Sequence, residues 1–279
     1  MNAASLEHAT ATLRELDRDR YFAALVLPAR VRGAAIALYA FNAEIAAISG
    51  RVREPAAGEI RLQWWRDALS GTSHGEVRQN PVADALLAAV EERQLPTAPL
   101  VRLIDARRFD LYNDPMPDAA AFEGYAGETA SVLFQLVAML LNGGPVEAAD
   151  AAGHLGVAQA MIGHLRAFGY NAARGRIFLP WSVFAANGVE RSHIFAGQSG
   201  DGLLAALGQI REMATSHLDK ADRAVAALPR SLRSAFAPAI VLHAQLSRLP
   251  GQGPFDMVPG DVGDARKLAL LLWRRLIAG

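Results

Sequence analysis

The chain has 279 residues, 52% hydrophobic and 20% charged, with 28 Lys and Arg against 28 Asp and Glu and no cysteine. A chain of this length buries a large core, and its zero net charge supplies no global field to recruit nucleic acid or anionic lipid. The absence of thiols removes disulfides, thiolate zinc sites and cysteine nucleophiles together and fits a reducing compartment, so any metal site has to be built from carboxylates and histidines.

The first segment, MNAASLEHATATLRELDRDRYF, carries Glu7, Glu15, Asp17 and Asp19 and no continuous apolar run. It is unlike a secretory signal or an acid-poor transit peptide and is expected to be mature protein in the cytoplasm. Pro28 at a helix N1 position opens the apolar pattern of Leu38, Phe41, Ile45 and Ile48, which Gly50 closes, predicting a long core helix. Further helices are predicted over about 58–69, 81–94, 98–111, 119–141, 146–168, 202–227, 230–248 and 262–277. The most apolar stretch, Ala130 to Leu141, falls short of the ~20 residues of a spanning helix and reads as a buried core helix. No transmembrane segment is therefore expected, which leaves open only peripheral contact with a membrane surface. Breaks fall at Pro115 and Pro117, at Gly143-Gly144-Pro145, at Arg174–Pro180 and in the linker-like loop Leu249–Gly260. With β-branched runs scarce and no repeat of fixed period, the expected fold class is all-α. One bundle of helices would form a single domain over residues 1–279, poorly marked after about residue 200.

Several clusters are candidates for chemistry. Trp64 and Trp65 are adjacent and point about 100° apart on a helix, so one can enter the core while the other meets a pocket or a partner, although both packing is the plainer reading. Asp105 and Arg108 have the spacing of a solvated ion pair, and the Tyr125 hydroxyl can line a cavity or sit at the edge of the core. Asp110, Asp114 and Asp118 are spaced by four, but Pro115 and Pro117 break the helix that would align them, which predicts a solvated turn. Asp150 and His154 share a helix face while His164 lies on another, so no complete metal-ligand set forms. No nucleophile elbow and no phosphate-binding glycine loop is present. Arg166, Arg174 and Arg176 can gather around an anion or, as the plainer alternative, pair with carboxylates and cap helix carbonyls.

The order of landmarks along the chain resembles the squalene/phytoene synthase superfamily. These are LPARVRGAAIALYAFNAEIAAI, EIRLQWWRDAL, NPVADAL, YAGETASVL, LGVAQAMIGHLR and GRIFLP, covering roughly Tyr21 to Pro180. The resemblance implies an all-α isoprenoid synthase fold around a central cavity, whose active members join two prenyl diphosphates head to head using magnesium. Such a site needs carboxylates at i and i+4 on each of two facing helices to hold Mg²⁺ against the diphosphate, where the metal stabilises the leaving group.

This chain departs from that pattern where the chemistry resides. Where active members carry acids, it has Ala46, Ala47 and Gly50 in the first motif and Ala167 and Asn171 in the second, and Gly163 stands where an amide is usual. The frame of Tyr39, Phe41, Gln159, Arg166, Gly175, Arg176 and Pro180 still fits. Glu44 remains nearby but lies about 200° round the helix from the first expected carboxylate, too far to substitute. The closer resemblance is to a non-catalytic branch containing the mitochondrial respiratory complex I assembly factor and its bacterial relatives. It implies a protein with no cofactor, Mg²⁺ being needed only if prenyl transfer is retained. The expected contacts are respiratory complex subunits or an isoprenoid- or quinone-type lipid, at most peripherally at the inner membrane.

Overall fold

A computed structural model describes residues 1–72, 76–249, 253–256 and 262–278, and the regular structure among those residues is entirely helical. Two helices that the apolar pattern does not announce precede the long one expected after Pro28. They are α1 (Ala3–Leu16), capped by Asn2, and α2 (Arg18–Leu25), capped by Asp17, whose side chain accepts from the Arg20 N–H. A short polar cap followed by Ala9 and Leu13 facing inward is enough to form α1, because docking of an amphipathic face outweighs its modest apolar content. Helix α3 (Ala29–Arg51) begins one residue after Pro28, which is its N-cap and not its first residue, and buries Leu38, Phe41, Ile45 and Ile48.

Helices α4 (Pro55–Ser70), α5 (Pro81–Arg93) and α6 (Ala98–Ala106) follow, and α6 tightens into a 3₁₀ segment at Arg107–Leu111. The single helix expected over 119–141 is three pieces: α7 (Ala119–Ala126), a π-helical turn (Gly127–Ser131) and α8 (Val132–Asn142). The π turn inserts an extra residue into the register, so that Tyr125 and Leu133 both face inward. Helix α9 (Ala149–Arg166) breaks at Ala167 (φ −93°, ψ 11°) into α10 (Phe168–Ala172). Short α11 (Trp181–Ala186) and α12 (Arg191–Phe195) lead to α13 (Asp201–Ala227). A 3₁₀ segment (Arg230–Phe236), α14 (Ala239–Leu246) and α15 (Asp264–Ala278) complete the fold, and most of the predicted linker at 249–260 lies outside the described residues.

Two helices organise the packing: α3 runs against α1, α5 and α8, while α9 runs along α13 and against α8 and the π turn. Two stretches, Ala29–Arg51 and Ala119–Asn142, are long and apolar enough to cross a membrane by length and composition. The second joins the segment read as too short into 24 residues, yet 72% and 67% of the two apolar windows are buried inside the fold, as in core helices.

Neither the Asp105–Arg108 ion pair nor the solvated turn at Asp110 forms. Asp105 pairs with Arg66 at 2.6 Å and Arg108 with Glu59 at 3.1 Å, because neighbouring α4 brings partners that a single helix face cannot. Asp110 is not in a solvated turn. It is 6% exposed, while Asp114 is exposed and Asp118 caps α7 by accepting from the Ala121 N–H at 2.9 Å. Of the tryptophans, Trp65 is buried with an edge-on contact to Phe41 at 5.2 Å, and Trp64 packs beside it at 5.1 Å and lines a cleft with Glu44, Arg51 and Arg61.

Candidate functional site

The space enclosed by α2, α3, α8, α9, α14 and α15 has a polar mouth and an apolar interior. Arg20 is the hinge of the mouth: it donates to Asp17 at 2.6 Å and to the Gln159 amide oxygen at 2.9 Å, and its guanidinium lies 6.0 Å from the centre of the Tyr39 ring. Asp19 accepts from Lys267 at 2.6 Å and from the Gln245 amide at 2.8 Å, with Arg166 at 3.9 Å. Burial pushes the Tyr39 hydroxyl up to about 12, against the pull of Arg20, so it stays a neutral group. The interior, walled by Phe22, Leu133, Phe134, Val241 and Leu242, keeps a free volume of about 20 Å³. That holds one or two waters, whereas ligand pockets usually run to roughly 300–1,000 Å³.

Ala46 and Ala47 are half-buried on α3 and Gly50 is exposed near its end. Ala167 sits at the break after α9, and Asn171 follows one turn on, its N–H donating to the Ala167 carbonyl at 2.9 Å. Methyl groups and a lone amide supply no anionic oxygen for a hard cation, so these residues do not fit magnesium. Among the described residues, no three His, Asp or Glu side chains converge closely enough to hold a metal ion. Glu44 faces away from this space, in the Trp64 cleft, where burial ahead of the opposing pull of Arg51 raises its pKa.

A second polar cluster lies deeper and was missed in the sequence. The Tyr125 hydroxyl donates to Asp110 at 2.7 Å, while Arg107 donates to the other Asp110 oxygen at 3.0 Å and to the Tyr125 oxygen at 2.8 Å. Burial works against the charge on Arg107, but Tyr125 and Asp110 outweigh it and its pKa rises; burial likewise raises that of Tyr125. The 3₁₀ segment carrying Arg107 and Asp110 packs on α3 and α4, and its charges reach His164 on α9. The one signal available was the i, i+3 spacing of Arg107 and Asp110 around an apolar Phe109.

His164 stacks on Phe178 at 4.9 Å and meets Phe122 edge-on, and burial, partly offset by Asp110, lowers its pKa from 6.5 to about 4. The unfolded chain takes up this proton near pH 6.5 and the folded chain only near pH 4. Stability is therefore fully present above pH 6.5 and falls as the pH drops toward 4, by up to roughly 2–3 kcal/mol, since the residue is only partly buried. His164→Phe is expected to keep the stack and flatten that part of the stability curve, measured by urea unfolding at pH 7 and pH 4.5. An unchanged slope would assign the acid sensitivity elsewhere.

The remaining candidates are dispersed. His154 meets His217 of α13, Nδ1 to Nδ1 at 3.1 Å, and His217 Nε2 lies 3.5 Å from Glu123, an arrangement that keeps one ring neutral. Phe41 belongs to the core. The three arginines do not gather: Arg166 is at the mouth, Arg174 lies 3.5 Å over the Tyr170 ring, and Arg176 donates to Asn113 at 3.3 Å.

The squalene/phytoene synthase family profile matches residues 13–274. The chain belongs to that family. It is 30% identical over 245 residues to bovine (Bos taurus) "NADH dehydrogenase (ubiquinone) complex I, assembly factor 6", covering 88% of this chain and 73% of the relative. The rat (Rattus norvegicus) protein is 31% identical, covering 85% and 71%. A phytoene synthase of Rhodobacter capsulatus is 27% identical, covering 85% of this chain and 70% of its own length. The fold is that of a dehydrosqualene synthase, with a TM-score of 0.81 at 20% identity over 98% of this chain and 96% of that one. In this squalene/phytoene synthase family member the helical frame persists around a closed interior and a mouth bound by Arg20, Asp19 and Lys267.

Proposed function

We propose that this chain is a non-catalytic member of the squalene/phytoene synthase family that assists assembly of respiratory complex I. The observation that carries the reading is the pairing of neutral residues at Ala46, Ala47, Gly50, Ala167 and Asn171 with an interior of about 20 Å³. Ionising an allylic diphosphate needs divalent cations at the leaving group and room for two prenyl chains, and these residues favour neither. Asp110, the one buried acid among the described residues, is held by Arg107 and Tyr125, so recruiting it to a cation would leave a buried guanidinium unpaired. The similarity to complex I assembly factors supports the same reading. Magnesium has no role in it, and the partners are subunits of the respiratory complex met through protein contacts, or an isoprenoid- or quinone-type lipid.

Two measurements test this together. Purified protein incubated with farnesyl or geranylgeranyl diphosphate and Mg²⁺ is expected to yield no C30 or C40 product, and deletion of the gene is expected to lower assembled complex I. A C30 or C40 product at a steady rate would instead make the chain a working head-to-head prenyltransferase.

A further inference from the structure

The balanced charge of the chain conceals an asymmetric end. Helix α15 packs against α2, α14 and the 3₁₀ segment Arg230–Phe236. These four elements, with the α2 cap, hold eight Lys and Arg against three Asp. All three acids are committed internally, Asp17 to Arg20, Asp19 to Lys267 and Asp264 to Arg18. Among the described residues, Arg266, Arg274 and Arg275 have no carboxylate partner within ion-pair distance. On the same helix Leu272 and Trp273 are 45% and 56% exposed. Ala265, Ala269 and Trp273 fall at steps of four, and Arg266 lies two turns before Trp273, so an apolar strip ending in an indole runs beside the Arg266 guanidinium, with Arg274 about 100° round the helix at its edge.

We infer that this face of α15 docks on an anionic phospholipid surface, with Trp273 and Leu272 at the level of the head groups. Indole is suited to that boundary because its ring is apolar and its N–H still finds a polar partner. Two large side chains give shallow insertion, and Arg266 on the same face and Arg274 at its edge add electrostatic attraction to anionic head groups. A second copy docking through the same face would bring two basic surfaces together, and an acidic protein partner would satisfy the arginines but leave the Trp273 strip without the matching apolar interior that lipid provides. The inference stands apart from the proposed function, since it holds whether or not the cavity performs chemistry.

The test uses the full chain and vesicles of phosphatidylglycerol and phosphatidylcholine in equal parts, against vesicles of phosphatidylcholine alone. Co-sedimentation is expected with the anionic vesicles, falling roughly tenfold on pure phosphatidylcholine, at high salt, or in the Leu272→Glu, Trp273→Glu double variant. Both positions are exposed, so an unchanged thermal melt accompanies the loss. Brominated lipids are expected to quench tryptophan fluorescence in the parent and not in Trp273→Phe, which retains Trp64, Trp65 and Trp181. Binding that ignores lipid charge and these substitutions overturns the inference, as does a lack of vesicle binding. So does a dimer or a protein complex that the double variant breaks while vesicles stay unbound.

Discussion

Replacing Asp110 with alanine is expected to cost the fold about 3–5 kcal/mol, the range for removing one member of a buried ion pair. Its side chain is 8% exposed and that of Arg107 16%. Alanine would strand the Arg107 guanidinium, whose Nε already lacks a partner, and would leave the Tyr125 hydroxyl without its acceptor. The two acids at the same spacing give the scale. Asp118→Ala loses the cap of α7 and is expected to cost about 1 kcal/mol, and Asp114→Ala, on the surface, to stay within about 0.5 kcal/mol. Urea unfolding of the three variants separates them. The double change Arg107→Met, Asp110→Leu should recover most of the loss, since apolar replacement of a whole buried pair is often neutral. If Asp110→Ala unfolds no more easily than Asp114→Ala, the network contributes nothing and the acid is free for other partners.

That series also shows where the sequence could be read and where it could not. The frame of long helices follows from apolar spacing alone: Leu38, Phe41, Ile45 and Ile48 on α3 are buried as their period requires. What spacing cannot supply is which distant segment covers a polar side chain. Asp110 reads as solvated beside Pro115 and Pro117, and becomes buried only because Tyr125 and His164 arrive from other helices. Asp19 and Lys267, 248 residues apart, offer no local sign of meeting at the cavity mouth. The π turn is silent for a different reason. Gly127, Thr129 and Ser131 are weak helix formers, yet no residue spacing marks an inserted residue, and the Thr129 hydroxyl, by donating to the Tyr125 carbonyl at 2.7 Å, engages a carbonyl in a stretch where the register slips. The motif positions, in contrast, rest on the family resemblance, and Ala46 and Ala167 there carry no side-chain oxygen whatever the fold does.

Gly156→Ala is expected to destabilise the protein by about 2–3 kcal/mol, although alanine is the better helix former by about 1 kcal/mol. A Cβ at this point of α9 would lie 2.2 Å from the Ser131 hydroxyl, 2.4 Å from its backbone nitrogen and 2.5 Å from its Cα. A hydroxyl can rotate away, but the backbone of the π turn cannot, so Ser131→Ala in the same chain should fail to rescue. Gly163→Ala, with nothing within 4 Å of its added Cβ, is the internal control and should raise stability by up to about 1 kcal/mol. A Gly156→Ala protein as stable as the parent would show that α9 and the π turn separate at little cost. The consequence reaches the cavity, because this backbone-to-backbone approach seats α9 against the turn that leads into α8, three residues before Gln159. From there Gln159 closes on Arg20, and Leu133 and Phe134 fill the interior.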